Sequence, residues 1–454
     1  MSGSAGVHDA GPDLARFPTM SADGARLLDF MREHPAAPLY RNHSGNKLLA
    51  SEVAYLRRFE AEVLAAPVGW QEGGHPAWLA GLVDSVFRDV PYYRALGGRP
   101  AAFEDIAPVR RADLAADIAA FVPDHVDIAR MIAFNTSGTT GHPMLVPSHP
   151  LVAGSYLAFH KRALARFGVV PSFGAGQVGV MLLGCQQRCF TYVSVTPTMG
   201  ESGLAKINLH PDDWRDAADR ARYLDAMAPE ILAGDPVSFA ELLTLPVTLR
   251  PRALISVSMM LLPGLRQRLE QRFGCPVLDI YSLNEVGPVG VFDAALGGHL
   301  LLQPRLYVEI LDRDGCPVAA GQRGEIAVSG GFNFCLPLLR YRTGDHASLR
   351  LTADGPVLAG LSGRQPLRFL GRAGWLNNVD LTHALKHLPL SQFAVHQRAD
   401  GFVILRLAAD GARHADAARA ALAALFDGAR IIIEELNVED KALQYSSDLP
   451  GAAA

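Results

Sequence analysis

The chain has 454 residues, 49% of them hydrophobic and 19% charged, enough to bury a large core and, at this length, usually more than one. A formal net charge of -4 leaves no basic excess for a nucleic-acid partner. No apolar run reaches the ~18 residues of a membrane span. The opening stretch MSGSAGVHDAGPDLARFP lacks the basic start and apolar core of a secretory leader. A cytoplasmic protein with a flexible tail over residues 1–20 is expected, with no membrane partner.

Residues 21 to 130 read as mainly helical. SEVAYLRRFEAEVLAA and HPAWLAGLVDSVFRDV carry apolar positions at helical spacing, and Pro91 ends the second pattern. Strands and helices then alternate. VGVMLLGC and TYVSVTP read as buried strands, DDWRDAADRARYLDAM as an amphipathic helix and EILAG as a short strand. ALISVSMM, PGLRQRLEQRFG and PVLDIYS follow as strand, helix and strand. This alternation predicts an α/β fold with a mostly parallel sheet flanked by helices. From about residue 299 the pattern becomes β-rich: LLLQPRLYVEILD, the turn DRDG and GEIAVSG suggest hairpins. The last stretch reads as strand, helix (ADAARAALAALF), strand (ARIIIEEL) and tail, enough for a small α+β domain. The expected division is a large N-terminal domain over 21–370 and a small C-terminal domain over 371–454.

The five cysteines, Cys185, Cys189, Cys275, Cys316 and Cys335, are odd in number and scattered, as in a reducing compartment. Cys185 and Cys189 have a spacing that some zinc sites use. No second pair accompanies them, so they read as apolar or loop cysteines. Lysine is rare: Lys47, Lys161, Lys206, Lys386 and Lys441 stand among 42 basic residues.

The most specific segment is Asn135-Thr-Ser-Gly-Thr-Thr-Gly-His-Pro143. Gly138 and Gly141 let the backbone turn several N–H groups toward one point. Hydroxyls of Thr136, Ser137, Thr139 and Thr140 can add donors, so the loop suits phosphate oxygens. It is not the nucleotide-hydrolase P-loop, which ends in Gly-Lys-Ser/Thr. A polar turn would use the same residue types, but the ordered run TSGTTG followed by x-Pro is more specific.

That segment resembles the signature of the adenylate-forming superfamily, which includes acyl-CoA synthetases, peptide-synthetase adenylation domains and luciferases. Tyr281-Ser-Leu-Asn-Glu285 is similar to its Tyr-Gly-x-Thr-Glu motif, and Tyr341-Arg-Thr-Gly-Asp345 matches its Tyr-Arg-Thr-Gly-Asp motif. Gly371-Arg372 resembles the Gly-Arg that opens the hinge. DVPYYRAL and FEDIAPVRRADL resemble the phenylacetate–CoA ligase branch.

The resemblance implies ATP and Mg²⁺ as cofactors and a mobile C-terminal domain. Glu285 would ligate Mg²⁺, joined by the Thr139 hydroxyl. Residues 136–141 would hold the phosphates, Gly138 and Gly141 included. Asp345 would take the ribose hydroxyls, with Arg372, Tyr281 and Ser258 about the ribose and adenine. Lys441 would bridge the acid's carboxylate and the α-phosphate, where negative charge grows as pyrophosphate leaves. The acid pocket would draw on Phe134, Phe190, Tyr192, Val257, Met259 and Pro288, and its aromatic character suggests a small aryl acid.

Three departures bear on this. Asn284 replaces the motif's Thr and Ser282 its Gly. Val257-Ser258 replaces a Gly-Gly, which narrows the pocket. The run after Arg372 is about five residues shorter than the family's and lacks its acidic hinge pair. Coenzyme A is the acceptor by family default. An amine, a hydroxyl or a carrier-protein thiol is the alternative, because the shortened run should remove a wall of the pantetheine channel. A nucleotide- or acyl-adenylate-binding sensor is the non-enzymatic reading, and a homodimer is left open.

Overall fold

The computed structural model describes residues 11–452, apart from 136–143, 187–188, 260, 262, 363–366, 386–387, 389, 391–392, 408, 428–429 and 437–444. Six helices come first: α1 (Gly11–Arg16), α2 (Ala22–Glu33), α3 (Ala50–Ala65), α4 (Leu79–Asp89), α5 (Pro91–Ala95) and α6 (Arg111–Ala116). In α4 the buried Leu79, Val83, Val86 and Phe87 form one stripe, which is why that segment coils as a helix. Pro91 halts α4 and starts α5, where its missing N–H costs nothing.

Next come β1 (Ile132–Asn135), β2 (Leu145–Ser148), α7 (Pro150–Arg166), β3 (Val178–Gly184), β4 (Tyr192–Thr196), β5 (Ser202–Asn208), α8 (Asp219–Met227), β6 (Ile231–Gly234) and α9 (Pro236–Leu242). After them run β7 (Ala253–Ser256), α10 (Pro263–Phe273), β8 (Val277–Leu283), β9 (Gly287–Asp293), β10 (Gly298–Leu301), β11 (Leu306–Leu311), β12 (Arg323–Gly330), β13 (Leu338–Thr352) and β14 (Gly355–Ser362). The C-terminal part holds β15 (Arg368–Gly371), β16 (Gly374–Asn377), α11 (Asn378–Leu385), β17 (Phe393–Gln397), β18 (Val403–Leu407), α12 (Ala415–Ala423), β19 (Ile431–Glu435) and β20 (Tyr445–Ser447).

The parallel strands and the β-rich stretch are one structure. A twelve-stranded sheet runs β11-β12-β13-β14-β10-β9-β8-β7-β6-β3-β5-β4. From β8 to β5 the pairings are parallel. From β8 outward through β9 they are antiparallel. Strand β8 is therefore the seam. The wholly buried β6 and β7 show the continuous apolar character of strands covered on both faces. The C-terminal α+β unit has its own sheet, β19-β18-β17-β20, and its own core around Phe369, Leu381, Val395, Leu405 and Leu422.

One expected helix is shorter than its pattern. The run from Asp212 to Met227 coils only from Asp219. Asp213 is buried and accepts from Arg41 Nε at 2.8 Å and from Asn208 Nδ2 at 2.8 Å, while Trp214 Nε1 donates to the Asn208 carbonyl at 2.7 Å. These tertiary bonds fasten the first part of the run to the end of β5, and they outweigh helical propensity.

Arg340 ties the β-rich half to the N-terminal segment. Its side chain is 1% exposed, and its guanidinium nitrogens are all engaged. Nε and Nη2 pair with the two Glu309 oxygens at 3.0 and 3.2 Å. Nη1 donates to the carbonyls of Glu104 and Ile106 at 2.6 and 2.8 Å, and Nη2 also donates to that of Gly315 at 2.9 Å. Burial pushes the Glu309 carboxyl upward, and the guanidinium opposes that push. Truncating one partner leaves an uncompensated buried charge. Arg340→Met should therefore lower unfolding stability by about 3–5 kcal/mol, and Arg340→Met/Glu309→Leu should recover part of it. Denaturant titration monitored by circular dichroism checks both.

Candidate active site

The candidate residues gather where the parallel strands end. Chain leaving β7 gives Val257, Ser258 and Met259, and chain leaving β8 gives Asn284 and Glu285. In open α/β sheets this carboxyl-end rim is where ligands settle. Glu285 lies in the three-residue connection between β8 and β9, and its residue is 5% exposed. Gly287, with φ of 74°, follows immediately. A Cβ there would lie 2.5 Å from the Phe332 ring and 3.3 Å from Tyr156, so only glycine lets these rings close over the turn.

The two tyrosine motifs are cross-linked reciprocally. Tyr281, on β8, donates its hydroxyl to Asp345 Oδ2 at 2.8 Å. Tyr341, on β13, donates its hydroxyl to Glu285 Oε1 at 2.9 Å. Each motif's tyrosine thus serves the other motif's carboxylate. Burial, reinforced by the neighbouring carboxylate, holds both phenols well above their ordinary value, so both remain donors. Asn333 Nδ2 supports the turn by donating to the Glu285 and Pro147 carbonyls at 3.2 and 3.1 Å. Arg111 Nη1 stands 3.4 Å from Glu285 Oε1. Tyr341, Asn333 and Arg111 carry no role in the reading of the sequence. Of the three, Tyr341 is the most readable, because it stands inside a motif.

The remaining candidates lie on several elements. Ser258 has φ of 73°, and Met259 N–H bonds back to the Val257 carbonyl at 2.9 Å. A serine thus occupies the left-handed conformation that favours the glycine it replaces. Ser258 is exposed and Val257 half-buried, while Met259 is buried. Phe190 and Tyr192 are ring neighbours at 5.6 Å, with Phe190 52% exposed. Phe134 is on β1, which pairs with β2 in a two-stranded sheet of its own. Pro288 is buried in β9, and its carbonyl accepts from Gln303 at 2.7 Å. Arg372 is exposed in the two-residue turn between β15 and β16. Lys441 and the phosphate-loop residues Thr136, Ser137, Gly138, Thr139, Thr140 and Gly141 lie outside the described residues.

The run after Arg372 is structured. There Gly374–Asn377 forms β16, paired with β15. Asn377 caps α11: its N–H donates to Asp380 Oδ2 and its Oδ1 accepts from Asp380 N–H, both at 3.0 Å. Its Nδ2 donates to the Cys185 carbonyl, just beyond β3, at 2.7 Å. Burial raises the Cys185 thiol to about 12 and also raises Cys189. Among the described residues no group of three or more His, Cys, Asp and Glu could hold a metal. No described helix is long and apolar enough to cross a membrane.

The AMP-binding enzyme family matches residues 122–334. The match and the two tyrosine motifs support the resemblance to the adenylate-forming superfamily. A stretch is similar to the phenylacetate–coenzyme A ligase of Escherichia coli (strain K12), 38% identical over 86 residues, 18% of this chain and 20% of that protein. The Pseudomonas putida phenylacetate–coenzyme A ligase is 36% identical over 85 residues, 18% of this chain and 19% of that protein. The chain spans about a fifth of the length of the curated relatives it matches. A 2-hydroxyisobutyryl-CoA ligase with 2-HIB-AMP and CoA in the thioesterification state aligns with a TM-score of 0.55. It is 18% identical, with 88% of this chain and 91% of that chain covered. The same ligase in the postadenylation state gives 0.51 at 18% identity, covering 82% and 88%. These likenesses show a shared fold.

One pair beside the site titrates abnormally. Burial raises Asp279, on β8, to about 6 and lowers His299, on β10, to about 4; Asp279 Oδ2 and His299 Nε2 stand 3.8 Å apart. Arg266 partly opposes the Asp279 shift. An acid whose folded value is raised gains stability below its unfolded value and loses it as pH climbs to the folded one. Asp279→Asn should therefore raise the melting temperature at pH 7.5, worth about 1–3 kcal/mol, with the gain fading between pH 6 and pH 4. Melts across that range check the sign.

Proposed function

We propose that the protein is an AMP-forming ligase. It joins a carboxylic acid to ATP as an acyl-adenylate, releases pyrophosphate and passes the acyl group to coenzyme A. The single observation behind this reading is the reciprocal tyrosine–carboxylate crossing at the strand ends, inside and beside the AMP-binding match. It presents two carboxylates with different roles, Glu285 for a hard cation and Asp345 for a vicinal diol.

Glu285 fits Mg²⁺ by chemistry, because a buried carboxylate offers the oxygen donor that a hard cation prefers. Thr139 is the second ligand in this reading. The cation, when bound, neutralises polyphosphate charge that would repel the incoming acid. The chain's own residues do the rest. The loop from Thr136 to Gly141 cradles phosphate oxygens with backbone N–H groups. Asp345 accepts from the ribose hydroxyls, with Tyr281 keeping its carboxylate oriented. Tyr281 and Ser258 bound the adenine, and Arg372 reaches the ribose or a phosphate when the small domain closes. Lys441 sets its ammonium between the acid and the α-phosphate. The carboxylate itself attacks phosphorus, so no side-chain nucleophile is needed.

The acid in this proposal is a small aryl acid. The Phe190–Tyr192 ring pair supports it, and Phe134, Val257, Met259 and Pro288 are the other pocket residues of this reading. The moving body is the C-terminal domain, expected from the sequence to begin at residue 371. We place its pivot just ahead of Arg368, because Phe369 and Leu376 pack in one core across the β15–β16 hairpin. The same hairpin, held to Cys185 through Asn377, restores a wall beside β3 and favours coenzyme A over an amine, hydroxyl or carrier thiol.

Two measurements test the reading. Glu285→Gln and Lys441→Ala should each reduce acid-dependent exchange of pyrophosphate into ATP by about 10²–10³-fold. Parent-level exchange in either variant contradicts the role assigned to it. With ATP, Mg²⁺ and a panel of acids, the parent should make acyl-CoA, fastest from aryl acids. A faster thioester from octanoate would remove the aryl preference. An amide or ester formed without coenzyme A would change the acceptor.

A further inference from the structure

Arg111 opens α6, and its guanidinium stands 3.4 Å from the same Glu285 oxygen that Tyr341 contacts. The side chains of this ion pair are 25% and 6% exposed. The backbone enforces the approach. Val109 N–H donates to the Arg340 carbonyl at 3.2 Å, and Arg342 N–H donates to the Val109 carbonyl at 2.8 Å. These bonds lay the chain ahead of α6 along β13. Asp113 accepts from Arg110 N–H at 2.7 Å and starts the helix there, so Arg111 is delivered beside Tyr341.

A carboxylate held ready for a dication would otherwise be left buried without a counter-charge, which is costly. Arg111 supplies that charge. A guanidinium and a dication cannot comfortably share one oxygen, since like charges would meet in a poorly solvated site. An incoming polyphosphate offers Arg111 another anion, and the guanidinium fork suits phosphate oxygens. We propose that Arg111 is a positioning residue that competes with the divalent cation for Glu285. It holds the carboxylate in the nucleotide-free protein, keeps a bare cation out, and turns to the phosphates when the cation enters with ATP. The inference rests on Glu285 being the cation's ligand. Its consequence is an order: cation arrives with nucleotide, not before it.

Mn²⁺, followed by electron paramagnetic resonance, is the probe. The nucleotide-free parent should bind it weakly. Arg111→Met should bind it at least about tenfold more tightly, because the competing charge is gone. That gain should vanish in Arg111→Met/Glu285→Gln, and Arg111→Lys, which keeps the charge, should return most of the parent's behaviour. Nucleotide binding to Arg111→Met should weaken severalfold. Melting curves establish that each variant is folded. If the Met variant does not fold, Arg111→Gln, which drops the charge but keeps donors near Glu285, gives the same reading. A folded, charge-free variant that binds Mn²⁺ no tighter than the parent overturns the proposal. Equal Mn²⁺ binding by parent and Glu285→Gln in the presence of ATP would instead overturn Glu285 as ligand.

Discussion

The site depends on two hydrogen bonds that cross each other. Tyr281 reaches from β8 to Asp345, and Tyr341 reaches from β13 to Glu285. Each carboxylate is fixed by a phenol from a strand distant in sequence, 64 residues away in one case and 56 in the other. Neutral donors suit this purpose, since they hold the oxygens without cancelling their charge, and burial keeps both phenols protonated. Losing either bond would deprive one buried carboxylate of its phenol donor.

The crossing works because β8 is where the sheet changes character. On one side it joins parallel strands whose ends supply the rim. On the other it turns back into the antiparallel half that carries β13. The three-residue connection from Asn284 to Val286 is thus anchored on both sides. Gly287 allows Phe332 and Tyr156 to close over it. Behind it, Asn333 bonds the turn's backbone. The result is a carboxylate on a short, well-braced turn, a geometry that a long surface loop would not hold.

The mixed fold and the two five-residue motifs are readable in the sequence, because apolar periodicity and ordered motifs are local properties. Pairing between distant segments is not. Nothing in YSLNE says that its tyrosine serves the aspartate of YRTGD. Arg111 is inconspicuous within FEDIAPVRRADL because its role comes from backbone bonds to residues 340 and 342. The helical pattern ahead of Asp219 misleads because Asp213 and Trp214 look amphipathic but are claimed by Arg41 and Asn208. The strand after Arg372 escapes a sequence reading for a related reason. Its partner β15 precedes it, and a two-residue turn at Arg372 and Ala373 is too short to register as a hairpin.

The buried Arg340 also constrains how the chain assembles. Two of its acceptors lie 236 and 234 residues upstream, and the others lie on β11 and in the turn that follows it. A guanidinium gives up its water only when all these partners are present together. The β-rich half therefore cannot finish its core until the segment around Glu104 has closed a very long loop onto it, and such closures are slow. During synthesis that early segment must wait, already emerged, for strands made much later. The segment around Glu104 is thus expected to dock late although it comes early in the chain.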